Sequence, residues 1–369
     1  MIYADNAATT ALDKEAYESM IPWLTNEYGN PSQPYSFSRA PKKAISEARE
    51  TIASLINANP EEIYFTSGGT ESDNWAIKGT AFLYDDKKTI ITSEIEHHAV
   101  LNTCASLEKK GFLIKYAQPD SKGVILPNTF KQLITKDSFL ASIMYSNNEI
   151  GTIEPIKELA NISHDYGLLF HTDAVQAVGH VQIDVKDLGI DMLSASAHKF
   201  NGPKGVGFLF LRNGSVISPH NDGGSQEFNL RAGTENVAGI VGMAIALKNN
   251  YKHLRRNKEH IQFLEERLLS GISGLDYIRN GADDHIPGNI NLSFKNMDGE
   301  NILHRLDLKG ICISTGSACD SANTQVSHVI RAINVQEGYS EGTIRISLGK
   351  DNTVEEVDEI AFALNQIIE

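Results

Sequence analysis

The chain of 369 residues is long enough for two domains with sizeable cores. Hydrophobic residues at 41% and charged residues at 22% make an ordinary globular balance, and a net charge of −14 argues against nonspecific nucleic-acid binding and against docking on anionic membranes. No apolar run approaches the ~18 residues of a membrane-spanning helix, the start Met1 to Asp5 carries no basic, apolar leader, and Cys104, Cys312 and Cys319 are too few for a disulfide framework, so a cytoplasmic protein is expected.

Taken in order, the chain first predicts a helix over about 38–57, with Ile45, Ala48, Ile52, Leu55 and Ile56 on one face. Short apolar strands follow near 62–66, 89–93, 112–117, 139–145, 168–172, 191–196 and 206–211, most of them separated by helical segments. This alternation predicts an α/β fold with a mostly parallel seven-stranded sheet covered on both faces. The last two strands are joined by a short loop and are expected to pair antiparallel. A long charged helix, about 235–270, is expected to bridge to a small α+β unit. Its elements are a strand at 289–294, a helix at 299–307, a strand at 310–314, a helix at 325–334, a strand at 343–348 and a helix at 353–368. The expected domains are 13–253 for the larger, and 1–12 with 254–369 for the smaller, the first dozen residues packing on the small unit.

Several strand ends carry unusual chemistry. Ser194-Ala195-Ser196-Ala197-His198-Lys199 ends a small-residue strand in a lysine, just before a Gly/Pro loop. Such a lysine is usually solvated. Held in a desolvated site, it can lose its proton and form a Schiff base with an aldehyde such as pyridoxal phosphate. Thr66-Ser67-Gly68-Gly69-Thr70-Glu71-Ser72 runs from a strand into a helix, which suits either an anion site or an ordinary capped turn. Asp173 ends an apolar run and reads as a partner for a pyridinium nitrogen or as a helix cap, with Gln176 three residues on. His97, in Glu94-Ile95-Glu96-His97-His98, could stack on a cofactor ring and move protons; the ligand spacing of a zinc site is missing, so no metal is expected. Arg345 alternates with apolar residues on a strand and fits either a carboxylate clamp or a structural ion pair. Cys319 sits in the small-residue segment 313–324, whereas Cys104 and Cys312 read as core residues.

Together with Tyr3-Ala4-Asp5-Asn6-Ala7-Ala8-Thr9-Thr10, Asn30-Pro31-Ser32, Asn147-Asn148-Glu149-Ile150-Gly151, Arg231-Ala232-Gly233-Thr234-Glu235-Asn236 and Gly316-Ser317-Ala318-Cys319, these stretches closely resemble the cysteine desulfurases of the NifS/IscS type. The resemblance implies the pyridoxal-phosphate-dependent transferase fold of type I and a homodimer. It also implies pyridoxal 5'-phosphate as cofactor, L-cysteine as substrate, and a persulfide on Cys319 that passes to an acceptor protein for iron–sulfur assembly or for tRNA or cofactor thiolation. Lys199 would then carry the cofactor and move protons. Asp173 would pair with the ring nitrogen and His97 would stack on the ring. Gln176 and Asn148 would contact the ring hydroxyl, and Gly69, Thr70, Ser196 and His198 would hold the phosphate. Thr234 would reach the phosphate of a neighbouring subunit, while Arg345 and Asn148 would hold the substrate carboxylate. The chain departs from the family at Asp320, Ser225 and Phe228, and the stretch 213–221 lacks a basic cluster. A selenocysteine lyase or another carbon–sulfur lyase is the alternative.

Overall fold

The computed structural model describes residues 1–84, 86–315 and 326–368. Its strands are β1 (Ile2–Tyr3), β2 (Ile63–Thr66), β3 (Thr89–Ser93), β4 (Leu113–Ala117), β5 (Ser138–Ser142), β6 (Leu169–Asp173), β7 (Met192–Ser196), β8 (Gly207–Leu211), β9 (Tyr277–Asn280), β10 (Asn289–Phe294), β11 (Ile311–Cys312) and β12 (Thr343–Ser347). Seven of them form one sheet in the order β2-β8-β7-β6-β5-β3-β4. Only β8 runs antiparallel to its neighbours, as its short connection to β7 predicts. Side chains alternate between two apolar layers: Phe208 and Phe210 enter one, Leu209 and Leu211 the other. Burial on both faces explains why these strands read as continuous apolar runs.

A separate core forms from Ala4 and residues 261–367 around β12-β10-β9. Two expectations need correction here. The helix over 235–270 is two helices, Val237–Lys252 and Leu254–Gly271, broken at His253 (φ −112°, ψ 11°). The first buries Ile240, Met243, Ala244 and Leu247 in the sheet's layer, and the second buries Ile261, Leu264 and Leu268 in the other core, so the chain turns where it changes core. The helix expected over 325–334 is His328–Ala332 among the described residues; Ser327 caps its start by accepting from Val329 N, and Asn334 leaves its end with φ 55°.

The first dozen residues divide between the two cores. Strand β1 pairs parallel with β11, and Ala4 exchanges hydrogen bonds with Cys312 and Ser347. Thr10 N and Asp13 N instead donate to His198 O and Asn201 O beside the large sheet. Residues 5–10 therefore form a strap between the small core and the end of β7.

At the other side of the sheet, the outer edge of β2 is covered by side chains. Arg49 donates to Ile63 O, Phe65 N donates to Glu227 Oε2 (2.8 Å), and Arg49 and Glu227 pair through two hydrogen bonds of 2.7 and 2.8 Å. Glu227, Phe228 and Asn229 all have positive φ, at 41°, 57° and 66°. That run of left-handed backbone aims the Glu227 carboxylate at the strand.

Candidate active site

The carboxyl ends of β6 and β7, where parallel sheets bind ligands, open into a cavity of about 420 Å³. Its floor begins with Ser196, the last residue of β7. The chain then enters a single 3-10 turn, Ala197–Lys199, and continues into Asn201 at φ 62°. A Cβ on Gly202 would lie 2.7 Å from Ala197 Cβ, so this tight return needs glycine. The turn places Lys199 inside, with Nζ donating to Ala7 O (2.6 Å) and Ala8 O (2.9 Å) of the strap.

Asp173 ends β6 and is 5% exposed, with Oδ1 accepting from Val175 N at 2.9 Å. Burial raises its pKa, and the neighbouring His97 and Lys199 pull it back. His97 caps the helix His98–Glu108, its Nδ1 accepting from Ala99 N at 3.1 Å, so proton exchange falls to Nε2. Burial holds its pKa low, against the attraction of Asp173. His198 is pushed down to about 4 by burial, then by Lys199 and Lys204, and its Nδ1 lies 3.1 Å from Thr9 Oγ1. Gly69 and Thr70 start the helix Gly69–Ala81, and a Cβ on Gly69 would meet Val175 Cγ2 at 2.5 Å.

The opposite wall comes from β12 and the turn after β5. Arg345 is 3% exposed. Its Nη2 donates to Asp5 Oδ1 and its Nη1 to Asn148 O, both at 2.8 Å, while Nε has no hydrogen-bond partner. The ion pair considered for this arginine is thus present, yet the guanidinium still lines the cavity.

A family model for class-V aminotransferases matches residues 2–360. A cysteine desulfurase IscS from Dictyoglomus turgidum (strain DSM 6724 / Z-1310) is 50% identical over 373 aligned residues, covering 100% of this chain and 94% of the relative. A solved NifS-like protein superposes with a TM-score of 0.94 at 39% identity, covering 99% of this chain and 98% of that one. A structure described as SspA in complex with cysteine gives 0.87 at 37% identity, covering 96% and 100%. The chain belongs to the cysteine desulfurases of the class-V aminotransferase family. Members of that family depend on pyridoxal phosphate.

Of the site residues expected from the sequence, Gly69, Thr70, His97, Asn148, Asp173, Gln176, Ser196, His198, Lys199 and Arg345 all line the one cavity. Gln176 Nε2 donates to Ala7 O at 3.0 Å. Thr234 is exposed and lies outside the lining. Cys319 lies outside the described residues. Cys104 is fully buried in the core as expected, its thiol pushed up to about 12 chiefly by burial.

Other lining residues went unnoticed in the sequence. Asp73 lies one helical turn after Gly69, a spacing that could have flagged it; it is buried beside Asp173, and burial, then that second carboxylate, raises its pKa well above the usual range. His98 and His328 stack with centroids 5.0 Å apart, and His328 Nε2 lies 3.0 Å from Glu96 O. No local pattern marks His328. Ala7 and Ala8 act through backbone carbonyls, which residue identity does not reveal. Among the described residues no group of three or more His, Cys, Asp or Glu side chains could hold a metal, and no helix is long and apolar enough to cross a membrane.

Proposed function

We propose that this cysteine desulfurase holds pyridoxal 5'-phosphate in the cavity and takes sulfur from L-cysteine. L-alanine is released, and a persulfide is left on Cys319 for an acceptor protein in the cytoplasm. The observation that carries this reading is the convergence of Lys199, Asp173, His97 and Arg345 on one cavity at the sheet's carboxyl end. The residues fit the cofactor. Gly69 leaves no room for a side chain beside Val175, which keeps the helix start open to a phosphate. Thr70, Ser196 and His198 surround that start. A second cavity, of about 390 Å³ and open to the surface, runs past Ser67, Gly68, Lys204 and Gly205 on the same side. Thr234 of a second subunit would approach there in a homodimer.

When bound, the cofactor supplies an aldehyde that holds the substrate amine and a ring that accepts electrons from the substrate carbon. Asp173 is a buried carboxylate whose charge is costly without a cation alongside, and a ring N–H meets that need. Gln176 and Asn148, both in the lining, would contact the ring hydroxyl. Lys199 Nζ takes the α-proton and returns it. His97 passes protons through Nε2, since Nδ1 is committed to the helix cap. The substrate carboxylate binds Arg345, with the unpartnered Nε as its first donor, and is flanked by Asn148. The Cys319 thiolate then attacks the substrate sulfur; an S–S bond forms as the C–S bond breaks, and the carbon regains a proton to leave as alanine.

The test is alanine release from L-cysteine under excess dithiothreitol, in wild type and Cys319→Ala. Turnover by wild type alone supports the scheme. Equal turnover by both would assign a lyase that needs no cysteine nucleophile, and selenocysteine would be the next substrate to try.

A further inference from the structure

A polar cluster lies between the sheet and the helix Gly69–Ala81, and the chemistry above leaves it unused. Asp73, on that helix, lines the cavity and is 1% exposed. The charged groups that act on it are both acidic: Asp173 at the end of β6 and Glu96 just after β3. The Ser194 hydroxyl hydrogen-bonds its carboxyl, while Oδ1 has no hydrogen-bond partner and lies 3.7 Å from His171 Nε2. His171 is fully buried and held at both ring nitrogens, with Nδ1 2.8 Å from Ser142 Oγ and Nε2 3.0 Å from Ser194 Oγ. Burial pushes its pKa down to about 3, so the ring is neutral. Strand alternation puts His171 and Asp173 on one face of β6, and Ser194 pairs with Asp173 across β6 and β7. Ser142, His171, Ser194 and Asp73 thus form one chain of polar groups running beside Asp173.

The two aspartates are not equally supported. Asp173 accepts from Val175 N at 2.9 Å, and the ring N–H of the proposed function would bring a cation alongside. Asp73 meets only a hydroxyl and a neutral imidazole. Two carboxylates in one dry pocket do not both ionise, and the less supported one keeps its proton. Burial, then the charge of Asp173, raises the Asp73 pKa well above the carboxylate range.

We propose that Asp73 is the proton-holding member of an asymmetric carboxyl pair: it stays a neutral acid in the holoenzyme, turned into the Ser194–His171–Ser142 chain, and so leaves the single negative charge of the pair on Asp173 for the ring nitrogen of the cofactor. Asp73 is thus a positioning residue that acts through Asp173. The role rests on the assignment of Asp173 to that nitrogen. The proton also fixes the hydrogen bonds that follow it, because a neutral imidazole carries one N–H. Asp73 donates to Ser194 Oγ, Ser194 donates to His171 Nε2, and His171 Nδ1–H donates to Ser142 Oγ. An ionised Asp73 reverses all three bonds and puts the imidazole proton on Nε2.

The experiment reads these protons in the holoenzyme near neutral pH. Infrared difference spectra compare wild type with the nearly isosteric Asp73→Asn. The substitution is expected to remove a carboxylic-acid C=O band; loss of a carboxylate band instead overturns the proposal. Glu96 and Glu154, whose burial also favours the acid form, occur in both proteins and cancel. Nitrogen-15 NMR of histidine-labelled wild type, with His171 assigned through His171→Gln, is expected to place the imidazole proton on Nδ1. A proton on Nε2 overturns the proposal from wild type alone. Holoenzyme rebuilt with pyridoxal phosphate labelled in its ring nitrogen is expected to show that nitrogen protonated, with the same titration in wild type and Asp73→Asn. A titration that falls by about one pH unit or more in the variant overturns the proposal, since a charge on Asp73 was then supporting the ring. A ring nitrogen without its proton in wild type overturns the assignment of Asp173 and the charge-placing role with it, wherever the proton of His171 lies.

Discussion

The two walls of the cavity are built differently. The floor is made at strand ends: Asp173 closes β6, Ser196 closes β7, and the 3-10 turn with Lys199 follows within three residues. The opposite wall is assembled from segments far apart in the chain. Arg345 on β12 is held by Asp5, 340 residues away, and by Asn148, 197 residues away. The floor inherits its rigidity from the sheet, where both neighbours of each strand are hydrogen-bonded. The wall depends on a strap crossing between two cores, so it has more ways to move. In the proposed function, the chemistry that needs fixed geometry falls to the floor, and recognition of the substrate's carboxylate falls to the wall.

Substitutions can break or sharpen this contrast. The largest effect is expected on the floor. Asp173→Asn keeps the shape and removes the charge, and kcat should fall roughly 100-fold or more while cofactor absorbance persists. A variant within about three-fold of wild type would show that the ring nitrogen needs no carboxylate. On the opposite wall, Arg345→Lys loses the planar fork but keeps the charge. KM for L-cysteine should rise about ten-fold with kcat changed far less; a loss confined to kcat would contradict the division into fixed floor and recognising wall.

The smallest effect is expected where the two walls meet. Glu96 is fully buried; Ser93 Oγ and Met144 N donate to its Oε1 at 2.6 and 3.0 Å, and its own carbonyl lies against His328. Burial raises its pKa to about 8, so the folded protein holds a proton there that the unfolded chain has already lost. Stability from this group is full at acid pH and is lost as pH rises from the unfolded carboxyl range through about 8. Glu96→Gln should therefore be near-equal to wild type at pH 5 and more stable than it at pH 9, measured by denaturant melts. A parallel pH profile for both proteins would remove Glu96 from this role.

The floor was legible because a carboxylate or a lysine at the end of an apolar run is locally anomalous. Asp173 and Lys199 stand out against their own neighbours, and the antiparallel β8 followed from one short loop. The wall was legible only in part. Arg345 shows as a charge in an apolar strand, but nothing near it in the chain points to Asp5. Ala7 and Ala8 contribute carbonyls, which every residue has. The break at His253 was hidden because helical character continues on both sides and only the destination of the apolar face changes. Asp73 escaped notice because it follows a motif already striking enough as a phosphate loop, and its burial depends on packing against β6 and β7.

The guarded margin of β2 has a consequence for the protein as a solute. An end strand of a sheet offers unpaired N–H and C=O groups on which another polypeptide can build. Here Phe65 N and Ile63 O, two groups facing outward from β2, are already taken by Glu227 and Arg49. The guard uses three successive left-handed residues, a conformation that costs roughly 1–2 kcal/mol for each residue bearing a side chain. That strain keeps a four-residue hydrophobic strand from recruiting a foreign one, so resistance to aggregation at this margin is carried by one ion pair and the turn that aims it.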